Sequence, residues 1–127
     1  MRLNPDCIRD ILLYVEENTD DEISSVSVDS LQENLTQYDK NTLFYHIRRM
    51  DSANLFDDVA YWDNEPQLIS NLSWTGHEFI ENVRNSNNWE TTKSIAKKVG
   101  STSFNVLSTI ATNVVSELIK SYLRIPN

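Results

Sequence analysis

Apolar positions repeat at helical spacing through most of the chain and fall into extended patterns in only a few short stretches. After Pro5 and Asp6, which suit a first helical turn, Ile8, Ile11, Leu12 and Val15 recur at three- and four-residue steps to about Asn18 and predict an amphipathic helix. Asp20-Asp21-Glu22 reads as a loop, and Ile23, Val26 and Val28 in a Ser-rich, β-branched stretch predict a short strand. Ser30-Leu31-Gln32-Glu33 has the spacing of a capping box, so a second helix is expected from there to about Thr36, with Leu31 and Leu35 on its apolar face. Asp39 is placed to cap a third helix that buries Leu43, Phe44, Ile47 and Met50, with Asn54 suited to the left-handed residue at its end.

Beyond this point Leu55 to Trp62 and Gln67 to Leu72 read as two strands joined by Asp63-Asn64-Glu65-Pro66, a β-hairpin. Ser73 is placed to cap a fourth helix carrying Trp74, Phe79, Ile80 and Val83, and Asn85-Ser86-Asn87-Asn88 reads as a break. Trp89, Ile95, Ala96 and Val99 mark a fifth helix, with Lys97 and Lys98 favourable at its C-terminus and Gly100 as its stop. Ser103 suits the cap of a sixth, in which Phe104, Leu107, Ala111, Val114, Leu118 and Tyr122 form a stripe widened by Val115, Ile119 and Leu123 and ended by Pro126. The predicted class is mainly α with a small β-hairpin. Helix, strand, helix, helix, hairpin is the layout of a winged helix (a helix-turn-helix plus wing), assigned to residues 1–86, with residues 87–127 as a C-terminal helical extension packed on it or dimerising.

Composition narrows the functional classes. At 127 residues there is no room for two separately cored enzymatic domains. With 2 Gly in the chain, neither a P-loop nor a dinucleotide fingerprint is present. The net charge of -8 argues against sequence-independent attraction to nucleic acid as a property of the whole protein. Charge is unevenly spread: residues 1–39 hold 2 basic and 10 acidic groups, residues 40–52 hold 3 and 1, residues 53–90 hold 1 and 7, and residues 91–127 hold 5 and 1. Cys7 stands alone, which excludes an intrachain disulfide and a thiolate zinc cluster. The start lacks an apolar signal-peptide core and no stretch approaches membrane-spanning length, so a cytoplasmic location without membrane association is expected.

A more specific signal is Leu72-Ser73-Trp74-Thr75-Gly76-His77-Glu78-Phe79-Ile80-Glu81-Asn82-Val83-Arg84-Asn85, followed by Trp89. This segment closely resembles the Leu-Thr-x-x-Gly-His-x-Phe-Leu-x-x-Ile-Arg pattern of a phage and prophage family, domain of unknown function twenty-five thirteen. The resemblance extends over nearly the whole chain, through Cys7-Ile8-Arg9-Asp10-Ile11-Leu12-Leu13 and Tyr45-His46-Ile47. It implies a winged-helix-like protein of Gram-positive bacteria and their phages, with no established activity. Asn54 stands where similar sequences often have Gly, and Ser73 where they often have Thr. Each keeps the role, since Asn tolerates the left-handed region and Ser caps helices.

Two surfaces carry candidate chemistry. On the third helix Asn41, Tyr45, Arg48, Arg49 and Ser52 fall opposite the apolar face, as side chains of a DNA-recognition helix would. The flanking segments are acidic and would oppose phosphates. The wing carries Asp57, Asp58, Asp63 and Glu65 where a phosphate-gripping wing would carry Lys or Arg, and these acids are expected to be solvated and to hold no metal. Tyr61 and Trp62 beside them are candidate anchors for a protein partner, with one of the two turned to the core by strand alternation.

Neither His46 nor His77 sits in a recognisable nucleophile-base motif, so no catalytic residue and no cofactor is expected. His77 is read as a packed histidine bonded to a backbone carbonyl, Gly76 as a point of close helix packing, and Trp74, Phe79 and Trp89 as core. The breadth of the last stripe predicts a homodimer through Leu107, Ala111, Val114, Leu118 and Tyr122. Together these features point to a non-enzymatic regulator that binds DNA through the third helix, or alternatively to a module that captures or inhibits a bacterial protein through its acidic surfaces.

Overall fold

The computed structural model describes residues 1–124, so Pro126, expected to end the last helix, lies outside the described residues. The chain is mainly helical with one small antiparallel sheet, in the order α1 (Pro5–Asn18), β1 (Ser25–Ser27), α2 (Val28–Asn34), α3 (Lys40–Ser52), β2 (Val59–Trp62), β3 (Glu65–Ser70), α4 (Trp74–Val83), α5 (Ser86–Val99) and α6 (Phe104–Leu123). It divides into two compact units, Met1–Ile80 and Glu81–Asn127, and the division falls inside α4.

In the first unit the sheet order is β1-β3-β2. Central β3 pairs Val26 with Ile69 on one side and Val59 with Ile69 on the other. Beyond the ladder, Phe56 bridges Leu72, and the Asp57 N–H donates to the Asn71 carbonyl at 2.8 Å, so the hairpin is longer than its regular strands. Helix α1 packs on α3 and β1, while α2 and α3 pack on β3. Their shared core holds Ile11, Leu12, Leu31, Leu43, Ile47, Met50, Leu55 and Ile69, all essentially inaccessible to water. Burying apolar groups on this scale is the main force holding the helices to the sheet.

The helix starts follow local chemistry. Asn4 Oδ1 accepts from the amides of Asp6 and Cys7, Asp39 accepts from Thr42, and Ser103 from Val106, each satisfying N–H groups that the first turn leaves unpaired. Ser73 Oγ accepts the Gly76 N–H at 3.1 Å while donating to the Asn54 carbonyl at 2.6 Å, and Asn54 takes a φ of 59°. Gly76 is required here: a Cβ on it would lie 2.3 Å from the Leu55 carbonyl oxygen. Gly100, at φ 86°, closes α5 in the left-handed region.

Several expectations are corrected. Helix α2 begins at Val28, capped by Ser27, because Ser27 ends β1 in register with Leu68 and its hydroxyl then faces the Ser30 amide; the Ser30 to Glu33 box is not the start. Ser86 to Asn88 form the first turn of α5 and not a break, since Asn85 Oδ1 caps the Asn88 amide. In α3 the fully buried polar position is His46, and Phe44 is only half-buried. Trp74 is 79% exposed and is not core, whereas Phe79, Ile80, Val83 and Trp89 are buried.

In the second unit α5 and α6, joined by residues 100–103, pack against each other as a helical hairpin, and Asn87, Asn88, Thr91 and Ile95 of α5 line one groove with Ile110, Asn113, Val114, Glu117 and Leu118 of α6. No described helix is long and apolar enough to cross a membrane.

Candidate functional site: the α3 face and its hairpin

Asp63 and Asn64 take φ values of 50° and 63°, both left-handed, and join Trp62 directly to Glu65 in a two-residue turn of the I′ kind. Such a turn matches the natural twist of paired strands and brings the hairpin tip back over the flank of α3. There the Arg48 guanidinium donates to the Asn64 carbonyl and lies 5.5 Å from the centre of the Tyr61 ring. The Tyr61 hydroxyl donates to Asp51 Oδ2 at 2.8 Å, and Lys40 Nζ approaches Glu65 Oε2 at 3.7 Å. Partial burial, the bond to Asp51 and the charge of Asp51 push the Tyr61 phenol up to about 12, with Arg48 and Arg49 acting the other way.

The predicted recognition residues therefore divide. Asn41, Arg49 and Ser52 are exposed; Tyr45 and Arg48 are half-buried. Arg49 stacks on Tyr45 at 5.6 Å, and the Ser52 hydroxyl is turned inward to the Arg48 carbonyl at 3.0 Å. Across residues 40–65 three cations face five carboxylates, and two of the cations, Lys40 and Arg48, are engaged by the hairpin. Lys40, Asp51 and Asn64 join the site although sequence reasoning did not single them out. The adjacent pair Asp63-Asn64, both tolerant of the left-handed region and set between the extended segments ending at Trp62 and starting at Glu65, is the signal that would have placed the two-residue turn and hence Asn64.

Asp57, Asp58, Asp63 and Glu65 are exposed, and no group of three or more His, Cys, Asp or Glu able to hold a metal gathers among the described residues. Tyr61 and Trp62 are both exposed, at 37% and 56%, against the expectation that one would face the core. Strand β2 keeps its own alternation: Tyr61, opposite Pro66, shares the side of Val59 and reaches Asp51 and Arg48 of α3 from the hairpin tip, while the register shift between Ala60 and Tyr61 leaves Gln67 of β3 as the extra, unpaired residue. Pro66 fits this position because β1 pairs only with residues 68–70, so its missing N–H breaks no ladder on that side.

The packed histidine is His46 and not His77. His46 is buried, with Nε2 accepting the Asn4 N–H and Nδ1 donating to the Thr42 carbonyl, each at 2.8 Å. His77 is exposed and sits 3.9 Å from Glu16 Oε2 on α1, so its neighbour is a carboxylate and not a backbone carbonyl. Of the residues assigned to a dimer surface, Leu107 and Ala111 are fully buried within the chain, Val114 is half-buried, and Leu118 and Tyr122 are exposed.

A family model described as "Hypothetical protein (DUF2513)" matches residues 2–103. The chain belongs to this family. It is also 31% identical over 122 residues to an "Uncharacterized protein" of Haemophilus influenzae, covering 94% of this chain and 99% of the relative. No solved structure matches the chain. The family match spans the whole α3 and hairpin site and stops before α6 begins.

Proposed function

We propose that this DUF2513 chain is a non-enzymatic cytoplasmic module of winged-helix type that binds a basic protein surface through its acidic, aromatic hairpin. The winged-helix reading is supported by the order α1, β1, α2, α3, β2, β3 and by a sheet in which the hairpin strand β3 lies between β1 and β2. The observation that carries the binding mode is the engagement of Arg48 by Asn64 and Tyr61, beside an exposed Trp62 that Asp63 follows and that pairs with Glu65. A wing that engages two of the three cations of α3 and offers acids outward repels phosphates and attracts Lys and Arg. An exposed Trp supplies the large, stiff apolar contact on which protein interfaces depend.

A second reading, DNA recognition through α3, is favoured by the outward placement of Asn41 and Arg49. The two separate in one experiment. Immobilised protein is offered a nuclease-treated bacterial lysate and, in parallel, a random duplex DNA library. The expected result is a captured protein that survives nuclease and is lost with Trp62→Ala and with the paired change Asp58→Lys and Asp63→Lys, together with no enriched DNA sequence. Enrichment of a DNA sequence that depends on Arg49, with no nuclease-resistant protein, overturns the protein-binding reading.

A further inference from the structure

The hairpin is anchored in two different ways along its length. Val59 and Ile69 are buried and hold the ladder of β2 on β3, whereas residues 61–65 at the tip are all exposed. The tip is tied to α3 by polar contacts: Arg48 to the Asn64 carbonyl and the Tyr61 ring, the Tyr61 hydroxyl to Asp51, and Lys40 to Glu65 with both side chains well exposed. Contacts of this kind are individually weak, so lifting the tip costs far less than opening the buried ladder. The ties also fall on one side of the helix. At 3.6 residues per turn Lys40, Asp51 and Arg48 span an arc of about 80°, and Asn41, Ser52, Tyr45 and Arg49 lie on the arc beyond it. Arg49, stacked on Tyr45, lies outside these ties.

We infer that the hairpin tip is a latch on α3: closed, it withholds Lys40 and Arg48 from a phosphate backbone; open, it adds both to Arg49 on one anion-binding face. The tie to Arg48 is the decisive one. The Asn64 carbonyl is a neutral acceptor, and a phosphate oxygen bonds a guanidinium about twice as strongly, so the closed latch gives Arg48 the weaker of the two partners. What opposes phosphate in the closed state is the charge the tip carries, Asp63 and Glu65, set beside Asp51. Lifting the tip takes the first two away and leaves, across residues 40–52, three cations against Asp51. The sign of the face is then reversed. This goes beyond the protein-binding reading and does not rest on it, since every tie is made within one chain.

The test is binding of a labelled short duplex DNA of mixed sequence to the full chain, read by fluorescence anisotropy over a salt series. The natural chain should bind weakly. Tyr61→Ala with Glu65→Gln, which leaves only the Asn64 carbonyl on Arg48, should bind about tenfold more tightly and with a steeper salt dependence. Adding Arg48→Ala should remove that gain. Asp51→Asn, which cuts the Tyr61 tie from the helix and leaves the hairpin sequence intact, should give part of it. Glu17→Gln, an equal loss of charge at an exposed position on α1, should give none. In Asp51→Asn, amide exchange should accelerate at Asp63 and Asn64 and stay slow at Ile69. The proposal is overturned by a natural chain that already binds the duplex through Arg48, by affinity unchanged in both opened variants, by a gain that survives Arg48→Ala or is matched by Glu17→Gln, or by exchange at Ile69 that accelerates together with the tip.

Discussion

His46 holds the first turn of α1 through a single atom: its Nε2 accepts the backbone N–H of Asn4 at 2.8 Å, while its Nδ1 donates to the Thr42 carbonyl one turn back on α3. Because an N–H can only donate, Nε2 must be unprotonated, and the imidazole is fixed as the neutral Nδ1–H tautomer. Asn4 in turn caps α1 with its side chain, so α3 positions the residue that starts α1. Replacing His46 by Phe keeps an aromatic ring in the core and leaves the Asn4 amide without its acceptor. That change should cost about 1–3 kcal/mol in urea unfolding. Hydrogen exchange should accelerate first at Asn4 through Ile8.

The two glycines should respond differently to the same substitutions. At Gly76 a Cβ meets the Leu55 carbonyl at 2.3 Å, so any side chain forces α4 away from the turn that Asn54 and Ser73 close. At Gly100 a Cβ meets nothing within 4 Å, and only the φ of 86° is unfavourable. Gly76→Ala and Gly76→Asn should both destabilise by roughly 1–3 kcal/mol or more. Gly100→Ala should cost about 1 kcal/mol, largely recovered in Gly100→Asn because Asn tolerates left-handed backbone. Equal losses from Gly76→Ala and Gly100→Ala would show that the packing at Leu55 is looser than described.

Burial, reinforced by the nearby charge of Asp10, pushes the Cys7 thiol up to about 12. The Tyr38 phenol is raised as well, by burial first and then by its 2.7 Å bond to Asp10 and that charge. A pKa raised on folding means that the native state favours the protonated group. The resulting stability is complete below the ordinary thiol value and is lost as pH rises toward the folded value. Unfolding midpoints should therefore fall more steeply between about pH 9 and 11 in the natural chain than in Cys7→Ala. At neutral pH Cys7 should react with a thiol reagent only at the rate of unfolding, since it is fully buried.

Most of the fold was legible because it is encoded locally. The stripes of α1, α3 and α6 and the caps Asp39, Ser73 and Ser103 depend on residues within one or two turns, and the left-handed Asn54 follows from its own side chain. What was not legible depends on partners distant in sequence. Which serine of Ser24, Ser25, Ser27 and Ser30 caps α2 is decided by the pairing of Ser27 with Leu68. That Tyr61 meets Asp51 and Arg48 of α3 and not the apolar core is decided by the two-residue turn that places it at the hairpin tip. At the candidate site the sequence displays an Arg pair and an acidic hairpin, but not how the two meet. Arg48 and Arg49 are adjacent in sequence and equivalent in chemistry. Only the turn at Asp63 and Asn64 makes one of them a ligand of the hairpin and leaves the other exposed.

That difference between neighbouring arginines is itself testable. Arg48 bonds the Asn64 carbonyl and stacks on Tyr61, whereas Arg49 stacks on Tyr45 within its own helix. Arg48→Ala should loosen the hairpin tip, accelerating amide exchange at Asp63, Asn64 and Glu65, while Arg49→Ala should leave those amides unchanged. A double-mutant cycle of Arg48→Ala with Tyr61→Ala should give a coupling of about 0.5–1 kcal/mol, the range for a cation over an aromatic ring at a partly exposed site. Arg49→Ala with Tyr61→Ala should give none. If instead Arg49 couples to Tyr61 and Arg48 does not, then Arg48 is available to an incoming phosphate, and DNA recognition through α3 gains the cation that the described geometry assigns to the hairpin.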